Sequence, residues 1–294
     1  MAYRIDASML GLPYVRGGRR AEALRHTMKN AAVIRAFVLS WPMLVCAAAP
    51  TIAADDPLVR ARNLYNERQF EAAVSAAEQA RLLPSRANAA DLVAARAYLE
   101  RYRVSGASDD LTNARERLRR LNPGGFAARE RTEYLIGLGE TLFFDGALGA
   151  AATVFESVLQ NRDTLSADAR ERVLDWWATA VDRDTRPRPE NERWSGYQRI
   201  RARMEEELAG QSAIGVAAYW LAASARAQGD VQGAWDAALA AWVRAPLSDR
   251  AATLRADLDL LVERAIAPDR ARALSQPVDV VRLQWEEFKE RWKP

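Results

Sequence analysis

The sequence predicts an all-α chain built of antiparallel helix hairpins. Apolar residues recur at helical spacing over most of the chain beyond residue 57, and no stretch alternates long enough to argue a strand. Glycine or proline punctuates these segments where a helix would have to stop or reverse. Alanine and glycine also occupy fixed offsets within successive segments, so neighbouring helices can approach closely.

The clearest hairpin spans residues 134–159. Its first half carries the large–small pair Leu138-Gly139, Gly146 stands at the turn, and its second half carries Ala151 with Phe155 four residues later. Gly139 and Ala151 remove bulk where the two backbones meet, while Leu142 and Phe155 fill the wedge where they diverge. In these residues and offsets the segment resembles one tetratricopeptide repeat. A second clear copy runs over 217–246, with Leu221-Ala222, Ala225, Gly229, Ala234, Ala238 and Pro246 in matching positions. The resemblance covers most of residues 57–246. It implies a right-handed α-solenoid, a superhelix of hairpins whose first helices line a concave groove for a peptide or protein segment. A related helical repeat without the strict pattern is the structural alternative.

In chain order, residues 58–68 and 70–83 form a first hairpin, with Ala61, Leu64, Ala73, Ala77 and Ala80 at the repeat offsets and Arg68 in place of the turn glycine. Residues 88–103 and 109–121 form a more degenerate one, closed by Asn122-Pro123-Gly124-Gly125. The 134–159 hairpin follows, its leading helix starting near Ala127. A strong helix begins after Ser166 and is broken by a proline-rich loop at 184–194, after which 196–210 completes the pair. Of the adjacent Trp176 and Trp177, about 100° apart on a helix, one belongs to the core and the other to the groove or the space under that loop. The Glu205-Glu206-Glu207 run reads as a solvated face. Beyond the 217–246 repeat, a helix at 251–265, a short segment at 267–274 and a last helix at 278–292 form a C-terminal cap over 247–294.

Residues 1–54 read as a leader. A cationic start at Lys29 and Arg35 precedes an apolar run from Ala36 and small residues up to Ala54, the layout of a secretory signal cleaved near Ala54. The run is short for a bilayer span and Pro42 interrupts it. Lipidation at Cys46 ranks second, because Val45 stands where a small residue is usual. Met28 is an alternative start, and Arg19-Arg20 lies far from the apolar run for a twin-arginine signal. The leader holds seven of the 42 basic and two of the 39 acidic residues, leaving 35 basic against 37 acidic side chains. That balance offers no cation excess for nucleic acid. His26 and Cys46, the only residues of their types, also lie in the leader. Beyond it there is no material for histidine- or cysteine-based nucleophile systems, for zinc sites of the usual ligand types or for disulfides. No cofactor is expected.

On each first helix the groove face lies opposite the packing pair. It comprises Arg62, Tyr65 and Asn66 on the first hairpin, Ile136, Glu140, Phe143 and Phe144 on the 134–159 hairpin, and Tyr219 and Arg226 on the last clear repeat. These side chains would bind a segment by stacking, apolar contact and hydrogen bonding. The alternative for the aromatics is packing between hairpins. The expectation is a non-enzymatic interaction scaffold, exported to the periplasm or cell envelope of a bacterium, with a protein or peptide partner and membrane contact only through leader or partner. Self-association through the end hairpins is a second reading. A carboxylate-dependent glycoside-cleaving enzyme is a third, with Glu140 the candidate acid and no partner carboxylate evident from spacing.

Overall fold

A computed structural model describes residues 56–161, 164–210, 214–247 and 250–293. The leader at 1–54, with His26 and Cys46, lies outside the described residues. Among the described residues all regular structure is helical. The elements are α1 (Pro57–Asn66), α2 (Phe70–Arg81), α3 (Ala87–Ser105), α4 (Ser108–Arg120), α5 (Ala128–Phe144), α6 (Leu148–Gln160), α7 (Ala167–Thr185), α8 (Glu190–Ala209), α9 (Ile214–Ala227), α10 (Val231–Arg244), α11 (Ala251–Leu261), α12 (Ala267–Leu274) and α13 (Val278–Arg291).

Local chemistry explains the boundaries. Asp56 caps α1, its Oδ1 accepting from the Leu58 N–H at 3.0 Å, and Pro57 occupies a first-turn position that needs no N–H. Ser166 caps α7 and Asp230 caps α10 in the same manner. Three hairpins close with one turn geometry. The N–H groups of Gln69, Ala147 and Asp230 reach back to the carbonyls of Leu64, Leu142 and Ala225 at 2.9, 2.9 and 3.0 Å. The residue before each is left-handed, Arg68 with φ 63, Gly146 with φ 78 and Gly229 with φ 80. A fourth such stop joins α12 to α13 through Ser275.

The helices pack in consecutive pairs, and the odd-numbered ones also touch in sequence, α1 to α3, α3 to α5, α5 to α7, α7 to α9 and α9 to α11. The contacts are close because they are made by small residues. Ala61, Ala73, Ala80, Ala90, Ala94, Ala95 and Ala97 are fully excluded from solvent at the N-terminal end. A Cβ placed on Gly139 would lie 2.5 Å from the Phe155 ring, so Phe155 fills the space that the glycine vacates. Toward the C-terminus the core grows heavier, and Trp177, Trp220 and Trp285 are almost wholly buried.

Four expectations are corrected. The proline-rich loop is shorter than 184–194, for α7 continues to Thr185 and α8 starts at Glu190, with Pro189 as its N-cap. Trp176 and Trp177 are both buried, because α7 is covered on two sides. Trp176 meets Phe143 of α5 and Phe155 of α6, whereas Trp177 lies under the Arg199 guanidinium of α8. Glu207 is 0% exposed. It receives a two-pronged bond from Arg170 at 2.9 and 2.5 Å, while Arg170 and Arg203 both donate to the Leu159 carbonyl at the end of α6. Finally, the 251–265 and 267–274 segments run on without a break. The helix passes through a π turn at Val262–Ile266, where the Ala267 N–H bonds to the Val262 carbonyl, and so absorbs the missing proline donor.

The turn geometry yields a paired prediction. Arg68→Gly removes side-chain strain from a left-handed site and should stabilise the fold by up to about 1 kcal/mol, whereas Gly146→Ala should cost about 1 kcal/mol. Opposite shifts in thermal midpoint would confirm that one turn geometry serves both hairpins.

Candidate functional site

Where α1, α3, α5 and α7 meet, each contributes a polar side chain to one cluster. Arg96 of α3 lies at its centre. Its terminal nitrogens donate to the Tyr65 hydroxyl of α1 at 3.1 Å and to the Glu133 carbonyl of α5 at 3.5 Å, and its Nε stands 3.9 Å from Glu140 Oε2. The guanidinium also lies 5.7 Å from the Tyr65 ring centroid. Burial pushes the Tyr65 hydroxyl up to about 12 despite the Arg96 charge. Glu140 is likewise raised, first by burial and further by the Glu100 carboxylate, with Arg96 opposing. Arg172 of α7 is exposed, acts electrostatically on both Tyr65 and Glu140, and makes no hydrogen bond or ion pair among the described residues.

Arg62 belongs to the same neighbourhood by connectivity. It is exposed and pairs at 2.6 Å with Glu130 of α5, spanning from the first hairpin to the third. Asn66 is exposed. Ile136 is buried, and so are Phe143 and Tyr219, the packing alternative for those two aromatics. Phe143 and half-buried Phe144 meet Trp176 edge-on at 4.6 and 5.4 Å between ring centres. Tyr219 and Arg226 lie apart from the Arg96 cluster. Tyr219 packs on Trp220 and is raised by burial, then by Asp257 and Asp175, while Arg226 pairs with Asp269 of α12 at 2.8 Å.

No family model, curated protein or solved structure matches this chain. What the cluster can do follows from its charges. Glu100 is bound by Arg103 at 2.6 Å and Glu140 faces Arg96 at 3.9 Å, so each of the two carboxylates has a cation beside it. Two open surface hollows lie elsewhere, beside Gln69 and Ser75 and beside Leu283 and Arg291. Among the described residues no group of three or more acidic, His or Cys side chains could hold a metal, and no helix is long and apolar enough to cross a membrane.

The sequence reading missed Arg96, Glu100, Arg103 and Arg172, and two further buried acids on α7. Asp175 accepts from Trp220 Nε1 at 2.9 Å, and Asp182 accepts from the Tyr197 hydroxyl at 2.9 Å and from Arg186 at 2.5 Å. Their signal was a charge on an apolar stripe. Glu207 follows Ile200 and Met204 at spacings of four and three, and Glu140 stands between Ile136 and Phe143 in the same rhythm.

Burial raises Asp175 to about 6 against the bond from Trp220, so the folded state prefers it protonated. Its contribution to stability is therefore full below the ordinary aspartate range near 4 and is lost as the pH rises through about 6. Asp175→Asn keeps an acceptor for Trp220 and removes the charge. The variant should be about 1–3 kcal/mol more stable than the parent at pH 7.5 and equal to it near pH 4, read by denaturant unfolding at both values.

Proposed function

We propose that this chain is a non-enzymatic interaction scaffold of the bacterial cell envelope, a tetratricopeptide-like right-handed α-solenoid that binds a protein or peptide segment along its odd-numbered helices. The observation that carries the reading is the convergence of Arg62, Tyr65, Arg96, Glu140 and Arg172 from four helices that touch in sequence. The recurring left-handed stops and small-residue contacts support a repeat architecture, in which each hairpin rests on its neighbours and the first helices form one continuous face. An extended ligand laid across that face meets polar anchors at every helix it crosses. The exposed, unpaired Arg172 suits a contact of this kind, since an arginine with a free fork can engage backbone carbonyls or carboxylates.

Against a hydrolase stands the setting of the two carboxylates. Glu140 Oε2 is closed to solvent, and neither the hollow beside Gln69 and Ser75 nor the one beside Leu283 and Arg291 is lined by Glu100 or Glu140. Export rests on the leader, which places cleavage near Ala54; N-terminal sequencing of the protein recovered from the envelope should begin at Asp55.

The binding test uses the purified protein against an array of peptides drawn from envelope proteins, compared with an Arg62→Ala, Arg172→Ala double variant. Both side chains are exposed, so the fold should be kept, and the retained peptides should bind at least ten-fold more weakly to the variant. Equal binding by the two forms would move the interaction surface to the end hairpins.

A further inference from the structure

A stack of hairpins has two ends at which a helix has no neighbour to cover it. Apolar exposure gathers there. Among the described residues, seven of the ten well-exposed large apolar side chains lie at the ends, three on or just beyond α1 and α2 and four on or beside α12 and α13. Single exposed residues of this kind need no explanation, but on α13 two of them share one stripe. Val280 is 42% and Leu283 58% exposed, and Glu287 and Arg291 continue the same face at helical spacing.

The opposite face of α13 is held firmly. Val281 and Trp285 are buried, and the Trp285 ring meets Trp242 of α10 at 5.4 Å between ring centres. Trp285 Nε1 and Lys289 Nζ both donate to Asp259 of α11 at 2.8 Å. The outward stripe is thus presented by a helix already fixed in place, which lowers the cost of docking on it.

The charges beside that stripe are arranged unevenly along the helix. Glu286, Glu287, Glu290 and Arg291 border an open hollow on the C-terminal side of Leu283, whereas Asp279 and Arg282 lie on its N-terminal side. The Glu287 carboxylate makes no ion pair among the described residues. Asp279 and Arg282 form an exposed pair at 3.3 Å, which solvent screens and which can exchange partners at little cost. A second α13 laid parallel would set the glutamates against glutamates. Laid antiparallel, with Leu283 of each copy over the hollow of the other, it sets Arg282 opposite Glu287 and Asp279 opposite Arg291, each twice by symmetry. We infer that α13 is a self-association surface, on which a second copy of this chain docks with its own α13 antiparallel. The contact goes beyond the scaffold reading and does not depend on it. Two copies joined in this way carry two odd-helix faces.

The test is sedimentation equilibrium of the purified protein over a range of concentrations. A contact made by one 14-residue helix from each copy is at the small end of specific interfaces, so a monomer–dimer equilibrium in the micromolar range is expected. Leu283→Asp sets a carboxylate beside the three glutamates and should weaken the dimer at least ten-fold; Leu283 is exposed, so the variant keeps its fold. Arg282→Glu should also weaken it, and Arg282→Glu combined with Glu287→Arg should restore it. A protein that stays monomeric throughout would overturn the inference. Growth past two copies would replace it with a head-to-tail contact between α13 and the end that carries Val59 and Leu82. A dimer indifferent to Leu283→Asp would place the contact on another surface, and a double variant no tighter than Arg282→Glu alone would reject the antiparallel pairing. None of these measurements requires a bound peptide, so an array that captures nothing would reject the scaffold and leave the dimer standing.

Discussion

Close approach of helices through alanine and glycine is the constraint on which the rest of this structure depends. Where Gly139 meets the Phe155 ring, or where Ala90, Ala94 and Ala97 have no exposed surface, the backbones come near enough to expel water. A polar side chain that faces such a seam is then desolvated as well. The raised titration of Glu140, Asp175 and Asp182 has burial as its first cause in all three. Small residues at the seams and perturbed acids on the odd-numbered helices are thus two results of one geometry.

The hairpins could be read in the sequence because they are local. A turn glycine and small residues at fixed offsets act within about forty residues of chain, and the left-handed φ at Gly146 and Gly229 follows from that pattern. Arg68 was placed at an equivalent turn by offset alone, although it is a poor residue for a left-handed site. The cluster around Arg96 was legible only in part. Tyr65 and Glu140 could be put on a face by periodicity, but Arg96 links them from α3 across 31 residues in one direction. Nothing in the local pattern of α3 distinguishes an arginine that joins three helices from one that faces solvent. Trp176 and Trp177 failed for a related reason. A one-seam picture leaves one of them outside, whereas a helix covered by both neighbours buries residues 100° apart.

The buried charges themselves fall into two kinds, and the difference bears on function. Arg170 and Arg203 each bind Glu207 and each donate to the Leu159 carbonyl, while Arg117 of α4 binds Asp91 at 2.5 Å and also Glu78 of α2. These groups have their partners within the chain. Removing one member would strand the rest, so they fix how consecutive helices sit, whatever their net stabilisation relative to an apolar replacement.

Arg96 and Glu140 differ in that each keeps a buried atom without a hydrogen bond, the two facing each other as an ion pair at 3.9 Å. A fold selected for stability alone gains nothing from such a pair. Hydrophobic residues of similar size would avoid both the desolvation and the missing bonds. The two side chains lie where four helices converge, next to an exposed arginine without an ion-pair partner among the described residues. The fully bonded staples hold the hairpins together, whereas Arg96 and Glu140 face each other as a looser ion pair. That contrast, drawn within one set of helices, separates the Arg96–Glu140 cluster from the larger aromatic clusters, whose rings are already packed against one another.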